Sequence, residues 1–305
     1  MRALIRTWFS APEKPVQAFG LAFRNPVGLA AGYDKDGSAW RGLACLGFGH
    51  IEVGTVTLKP QEGNPRPRLF RLREDRALIN RMGFPGQGAE FVRNRLSGPR
   101  PPGLILGVNL GKNKDTPLES AVQDYLALLE HFAPLADYLA INVSSPNTVG
   151  LRSLQARRSL EALLKELSER RQELATSTGR KTPLLVKLAP DLELAELHDA
   201  LEAILNTGMD GVIASNTTVA RDGLHSSLAN ETGGLSGAPL RQRSTQMICQ
   251  IYSYTAGKLP IIGVGGVMSA ADAREKLEAG ASLVQIYTGL VYEGPGLVKR
   301  IILGL

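Results

Sequence analysis

Cysteine is almost absent. Cys45 and Cys249 are the only two, far apart and in no CxxC pattern, so the sequence encodes neither a disulfide framework nor a zinc site. The four histidines, His50, His131, His198 and His225, show no HxxxH or mixed-ligand spacing, and no metal is expected. No apolar run reaches the length of a membrane span, and the N-terminus, MRALIRTWFSAPEKP, has no signal-peptide core. A chain made and kept in the cytoplasm is therefore expected. Long charge runs are missing too. The net charge of +6 is scattered, which argues against nucleic acid and leaves anionic small molecules or weak attraction to an anionic membrane surface.

What is present suits a soluble globular protein: 305 residues, of which 43% are hydrophobic and 21% charged. Short apolar, β-branched runs recur at Val27 to Ala31, His50 to Val56, Gly103 to Asn109, Asp137 to Val143, Pro183 to Leu188, Asp210 to Ser215, Pro260 to Val264 and Ser282 to Tyr287. Helical periodicity follows most of them, clearest in Leu118 to Phe132, Leu154 to Leu174, Leu194 to Thr207, Leu240 to Tyr254 and Ala270 to Glu278. Alternating strand and helix, with strands apolar on both faces, predicts one parallel (β/α)8 barrel. Two connections, Thr57 to Pro85 and Asn216 to Pro239, are too long for plain βα loops and predict insertions on the active-site face after strands two and six. No internal repeat, low-complexity tract or interdomain linker interrupts the pattern.

In such a barrel, polar residues at the C-terminal ends of strands share one pocket. The third strand ends in Asn109, the fourth in Asn142, the fifth in Lys187 and the sixth in Asn216. Asn is poor in strand interiors, and a buried amide without partners costs about 1–3 kcal/mol, so these residues read as placed for a ligand. The seventh strand runs into Gly263, Gly265 and Gly266, and the eighth into Tyr287, Thr288 and Gly289. Alone, the GVGG run fits a tight turn as well as an anion site; its place after strand seven favours the phosphate site of barrels. Likewise Ser144, Ser145 and Asn147 alone read as a polar turn, and Lys35 in YDKDG as a solvated loop charge. Cys45 and Cys249, both in helical runs, are expected to be buried packing thiols.

Taken in order, GLAAGYDKDG (28 to 37), EVGTVTLKPQEGNPRPRLFRL (52 to 72), INRMGF (79 to 84), GVNLGKNK (107 to 114), NVSSPNTVGLRSLQ (142 to 155), SNTTVAR (215 to 221), GGLSG (233 to 237) and IIGVGGV (261 to 267) resemble dihydroorotate dehydrogenases of the membrane-associated, quinone-using class. The likeness runs from about Pro15 to the C-terminus. It implies oxidation of dihydroorotate to orotate in pyrimidine biosynthesis, FMN as the bound cofactor and a quinone as electron acceptor.

The reaction removes a proton from C5 and a hydride from C6, so it needs a base on one side of the ring and flavin on the other. The resemblance makes Ser145 the base, where relatives with soluble acceptors carry cysteine. A serine hydroxyl is a weak base, so proton relay through Thr148 or water and faster rates at alkaline pH are expected. Lys35, Asn80, Arg81, Met82, Gly83, Phe84, Asn142, Asn147, Asn216 and Thr217 are implied around the substrate. For FMN the implied set is Ala30, Ala31 and Gly32 against the ring system, Lys35, Thr55, Asn109, Asn142 and Ser215 around it, and Gly237, Gly266, Tyr287 and Thr288 at the phosphate. Lys187 is the buried cation beside the flavin, whose reduced form is anionic at N1. Its bland alternative is an edge lysine reaching solvent. The segment from Ser145 to Gln155, with Gly150 as a hinge, reads as a cover over the substrate.

Quinone-class relatives usually carry a further N-terminal segment of amphipathic helices that docks on the membrane. Here residues 1–14 form a short extension before a catalytic barrel over 15–305, and MRALIRTWF offers only Leu4, Ile5, Trp8 and Phe9 as apolar residues. The expectation is a shortened quinone enzyme, or a natural short form that passes electrons to a soluble or artificial acceptor. It is cytoplasmic, with peripheral contact at the inner face of the cell membrane as the alternative. Competing readings are another FMN barrel reductase, a cofactor-free aldolase or lyase using Lys187 as a Schiff-base amine, and a silent scaffold barrel.

Overall fold

In the computed structural model, which describes residues 2–305 and side chains from Arg6 onward, the chain opens with helix α1 (Arg2–Phe9) and a hairpin of β1 (Val16–Ala18) and β2 (Leu21–Phe23). Phe19 and Gly20 form its turn at φ of 55° and 73°, the backbone that a two-residue hairpin loop requires. On α1, Leu4 and Ile5 have side chains outside the described residues, and Trp8 is 75% exposed. No helix among the described residues is long and apolar enough to cross a membrane.

From there strand and helix alternate. β3 (Val27–Leu29) leads through the short α2 (Trp40–Leu43) to β4 (His50–Val56), and an excursion carrying β5 (Leu69–Leu72) and β6 (Ala77–Asn80) returns through α3 (Ala89–Leu96) to β7 (Ile105–Leu110). Then come α4 (Ala121–Phe132), β8 (Tyr138–Asn142), α5 (Arg157–Thr178), β9 (Leu184–Leu188), α6 (Leu194–Asn206) and β10 (Gly211–Ala214). A second excursion carries β11 (Gly234–Gly237), followed by α7 (Arg241–Tyr254), β12 (Ile261–Val264), α8 (Ala270–Glu278), β13 (Leu283–Ile286), α9 (Thr288–Glu293) and α10 (Leu297–Gly304). Strands β3, β4, β7, β8, β9, β10, β12 and β13 pair in parallel in chain order until β13 meets β3, closing an eight-stranded barrel. These are the runs marked in the sequence, and the (β/α)8 expectation is borne out.

Burial on both faces explains the missing alternation. Outward residues such as Leu29, Ile51, Val53, Leu106, Val108, Leu139 and Ile141 pack under the helices. Inward residues form a second cluster, in which Tyr138, Leu185, Ile213, Ile262 and Leu283 meet Phe19 and Phe23 from the hairpin. The hairpin thus closes the end of the barrel opposite the strand C-termini. Small residues face large ones inside: an added Cβ on Gly28 would lie 2.0 Å from the His50 ring, and one on Gly107 would lie 2.2 Å from Tyr138. His50 is wholly buried with both ring nitrogens unpartnered, and burial pushes its pKa down to about 3, so the imidazole is a neutral filler.

The two excursions meet each other. β6 pairs antiparallel with β5 on one side and with β11 on the other, in register Leu69↔Asn80 and Gly234↔Asn80, and so forms a three-stranded sheet separate from the barrel. Leu72, Ala77, Ile79 and Leu235 give it a small core of its own. One sequence expectation is corrected: Cys249 is exposed and Cys45 half-buried. On α7 the buried side chains are Ser244, Met247, Ile248 and Ile251, which leaves Cys249 on the opposite face.

Filling the Gly107 site should overpack the barrel. Gly107→Ala is expected to lose about 1–3 kcal/mol, read as a lower urea midpoint. Gly42→Ala, in helix α2 where the added Cβ meets nothing within 4 Å, should instead hold or raise the midpoint.

Candidate active site

A cavity of about 980 Å³, counting its open mouth, lies at the C-terminal ends of the barrel strands and is lined from β3 and β4 round to β13 and by both excursions. Its mixed lining of small apolar and polar residues suits a small-molecule site. Ala30, Ala31, Gly32 and Lys35 line it after β3, Thr55 from β4, Asn142, Ser145 and Asn147 from β8 and its loop, and Lys187 from β9. Ser215, Asn216 and Thr217 line it after β10, Gly237 from β11, Gly266 after β12, and Tyr287 and Thr288 after β13. The first excursion adds Asn80, Met82, Gly83 and Phe84.

The amides form two hydrogen-bonded sets rather than isolated donors. Asn142 Nδ2 donates to Thr55 Oγ1 at 2.9 Å and to Asn109 Oδ1 at 3.1 Å, and Thr55 Oγ1 donates to Asn109 Oδ1 at 2.5 Å. Asn216 Nδ2 donates to Asn142 Oδ1 (3.2 Å) and Ser144 Oγ (2.9 Å), and Asn147 Nδ2 to Asn80 Oδ1 (3.2 Å). Each amide holds its neighbour at a fixed angle while other polar atoms remain free for a planar ligand. Ser145 is buried, and its Oγ accepts the backbone N–H of Asn147 at 3.2 Å.

The loop bearing Ser145 is tied down by one guanidinium. Arg152 donates to Ser144 O at 3.1 Å, to Thr217 O at 3.0 Å and to Asp191 Oδ2 at 2.9 Å. Asp191 also takes Arg243 and the Thr218 hydroxyl, so the ends of β9 and β10 and the Ser145 loop share a single clasp.

Three residues expected at the site do not line the cavity. Asn109 lies one layer deeper and supports Thr55 and Asn142. Thr148 is buried in the Ser145 loop, without a hydrogen bond between the two hydroxyls. Arg81 turns away from the cavity to pair with Glu231 at 2.7 Å and cover the Phe70 ring, because β6 ends at Asn80 and the side chain after it points outward.

Beneath the cavity lies a group that sequence reasoning missed. Glu52, fully buried on β4, accepts Asn109 Nδ2 at 2.8 Å, Gln285 Nε2 at 2.9 Å and Tyr138 Oη at 3.0 Å, and lies 3.7 Å from Lys187 Nζ. Its signal was an acid within HIEVGTV, a run otherwise suited to a strand buried on both faces; Gln285 in LVQI carried the same kind of signal.

FMN, implied by the sequence, fits these residues on three observations. Lys187 is buried, with Glu52 at 3.7 Å as its charge partner and no hydrogen bond among the described residues, so its ammonium has donors to give. Gln285 Oε1, on a cavity-lining residue, is a buried acceptor without a partner. At the other end, Gly266 has φ 73° and an added Cβ would lie 2.7 Å from Arg241 N, while one on Gly237, at φ 100°, would lie 2.4 Å from Arg76 O. Only glycine fits either place, and backbone N–H groups can then approach a phosphate closely.

A family model described as dihydroorotate dehydrogenase matches residues 15–305. Dihydroorotate dehydrogenase (quinone) of Azotobacter vinelandii is 53% identical over 94% of this chain and 82% of its own length. That of Roseiflexus sp. is 54% identical over 99% and 83%. Among solved structures, DHODH from Eimeria tenella in complex with ferulenol is similar with a TM-score of 0.91 at 42% identity, covering 96% of this chain and 83% of that one.

Lys35 donates to Gly32 O at 2.8 Å, and burial pulls its pKa down to about 8, with Asp36 opposing the shift and Arg68 and Lys187 adding to it. The unfolded chain holds this proton to a pH of about 10.4. Folding with a charged Lys35 is therefore unfavourable below about pH 8, and stability from this group rises with pH between those two values. In the ligand-free chain, Lys35→Met should raise the urea midpoint at pH 7.5, and this advantage should vanish by pH 10.5.

Proposed function

The chain belongs to the dihydroorotate dehydrogenase family, and from that membership we propose that it oxidises dihydroorotate to orotate in pyrimidine biosynthesis, with Ser145 as the base and a quinone as acceptor. The observation that carries the assignment of residues is the convergence on one cavity of Ser145, the amides Asn80, Asn142, Asn147 and Asn216, and the buried Lys187. The protein is an FMN flavoprotein, as the family is; when bound, the cofactor accepts the hydride that leaves C6 of the substrate.

The protein's own residues do the rest. The amide set binds the ring edges of dihydroorotate, and the Lys35 ammonium faces its carboxylate. Ser145 Oγ takes the C5 proton, and the Asn147 N–H directed at that oxygen stabilises the alkoxide that must precede it. The proton then leaves through water or the Thr148 hydroxyl in the same loop. Arg152 keeps that loop seated over the substrate. Lys187 offers positive charge where the cofactor gains negative charge, in a setting from which bulk water is largely excluded. Ala30, Ala31, Gly32, Thr55 and Ser215 hold the ring system, and Gly237, Gly266, Tyr287 and Thr288 hold the phosphate. Residues 15–305 form the catalytic barrel and 1–14 an extension. We place the protein in the cytoplasm, touching the inner face of the cell membrane through α1, where exposed Trp8 and Arg6 supply an aromatic and a cation.

Ser145→Ala should lower the rate of flavin bleaching by dihydroorotate about 10²–10⁴-fold in stopped flow and leave orotate affinity nearly intact. Ser145→Cys should move the alkaline rise in rate downward, toward the thiol pKa of about 8.5; an unchanged pH profile would remove Ser145 from the role of base. The dihydroorotate-reduced protein should be reoxidised rapidly by a short-chain quinone and slowly by fumarate, and the reverse order would overturn the acceptor.

A further inference from the structure

We propose that Glu52 is a positioning residue for electron transfer: from below the cavity floor it fixes Lys187 and sets how much positive charge the bound flavin meets. The inference rests on the flavoprotein reading above. Glu52 does not line the cavity and is 0% exposed, so it touches neither substrate nor solvent. Three of the four groups it touches lead upward. Lys187 and Gln285 line the cavity themselves, and Asn109 carries Thr55 and Asn142, which do. Tyr138, two strands along the barrel on β8, shares the carboxylate, its phenol held neutral by burial and by Glu52.

Charge counting gives the arrangement its meaning. Two cations, Lys35 and Lys187, line the cavity and no Asp or Glu does. Among the described residues Glu52 is the carboxylate that lies within ion-pair distance of Lys187. A barrel interior filled by His50, Tyr138, Leu185 and Leu283 has room for an apolar side chain on β4, which would avoid a buried charge. A carboxylate there instead divides the pull of Lys187 between itself and whatever lies above. The ring of the oxidised cofactor, which is neutral, feels little of this, whereas the two-electron-reduced, anionic ring feels it fully. Glu52 therefore holds the midpoint potential below the value that an unshared Lys187 would give.

The test is the two-electron midpoint potential of the purified FMN holoenzyme, measured spectroscopically against a reference dye. Glu52→Gln keeps the shape and removes the charge, and it should raise the potential by at least 29.6 mV, a tenfold gain in affinity for the reduced over the oxidised cofactor. Glu52→Asp, which keeps the charge, should lie closer to the parent. A folded Glu52→Gln holoenzyme at the parent potential would overturn the inference. Should that variant fail to accumulate as holoprotein, Tyr138→Phe decides. Loss of the phenol donor concentrates charge on the carboxylate, so the potential should fall, and an unchanged value overturns the inference equally. A parent protein that binds no FMN would sink the cofactor reading itself, an outcome distinct from a flavoprotein whose potential ignores residue 52.

Discussion

A closed eight-stranded barrel has to fill its own interior, and this one fills it with a carboxylate and an ammonium group 3.7 Å apart. Glu52 is wholly enclosed and Lys187 meets only the cavity above it, and removing one partner of such a buried pair typically costs about 3–5 kcal/mol. The surrounding choices answer to that constraint. Tyr138, Gln285 and Asn109 spend their donors on Glu52, and Gly107 leaves the space that the Tyr138 ring needs. Asn109, fixed from below, fixes Thr55 and Asn142 above it, and Asn142 in turn takes Asn216. The order of the polar face at the barrel mouth is thus inherited from the layer beneath.

The barrel was legible because its strands are apolar on both faces and the longer helices between them announce themselves by period, so β4, β8 and β9 could be placed to within a residue or two. The cavity was legible in part for the opposite reason: Asn142, Lys187 and Asn216 stand out against those apolar runs. Glu52 stood out equally, but it sits mid-strand rather than at a strand end, where attention to ligand-binding positions passes it by. The three-stranded sheet could not be read at all. β5, β6 and β11 are four residues each, too short to show a period, and β6 finds its partner some 155 positions away.

Rigidity is distributed unevenly across the site. The floor lies within the barrel strands and is crosslinked by the Glu52 network, whereas the Ser145 loop is held by the contacts of Arg152 with Ser144, Thr217 and Asp191 and by those of Asn147 with Asn64 and Asn80. Val149, near the crest of that loop, is 91% exposed. The charged groups of the floor are therefore anchored in the core, while Ser145, itself buried, belongs to a loop whose crest reaches solvent.

The pairing of β6 with β11 joins two segments that a genetic map would show as unrelated. Asn80 sits at that seam, its backbone in register with Gly234 and its side-chain amide against Asn147. Neither excursion can drift in sequence without the other following, because a change in the length or edge pattern of one shifts the register of both and displaces Asn80 from the cavity wall. In evolutionary terms the two insertions are one heritable unit split across the chain, and a chimera that exchanges either alone with a relative inherits half of a wall.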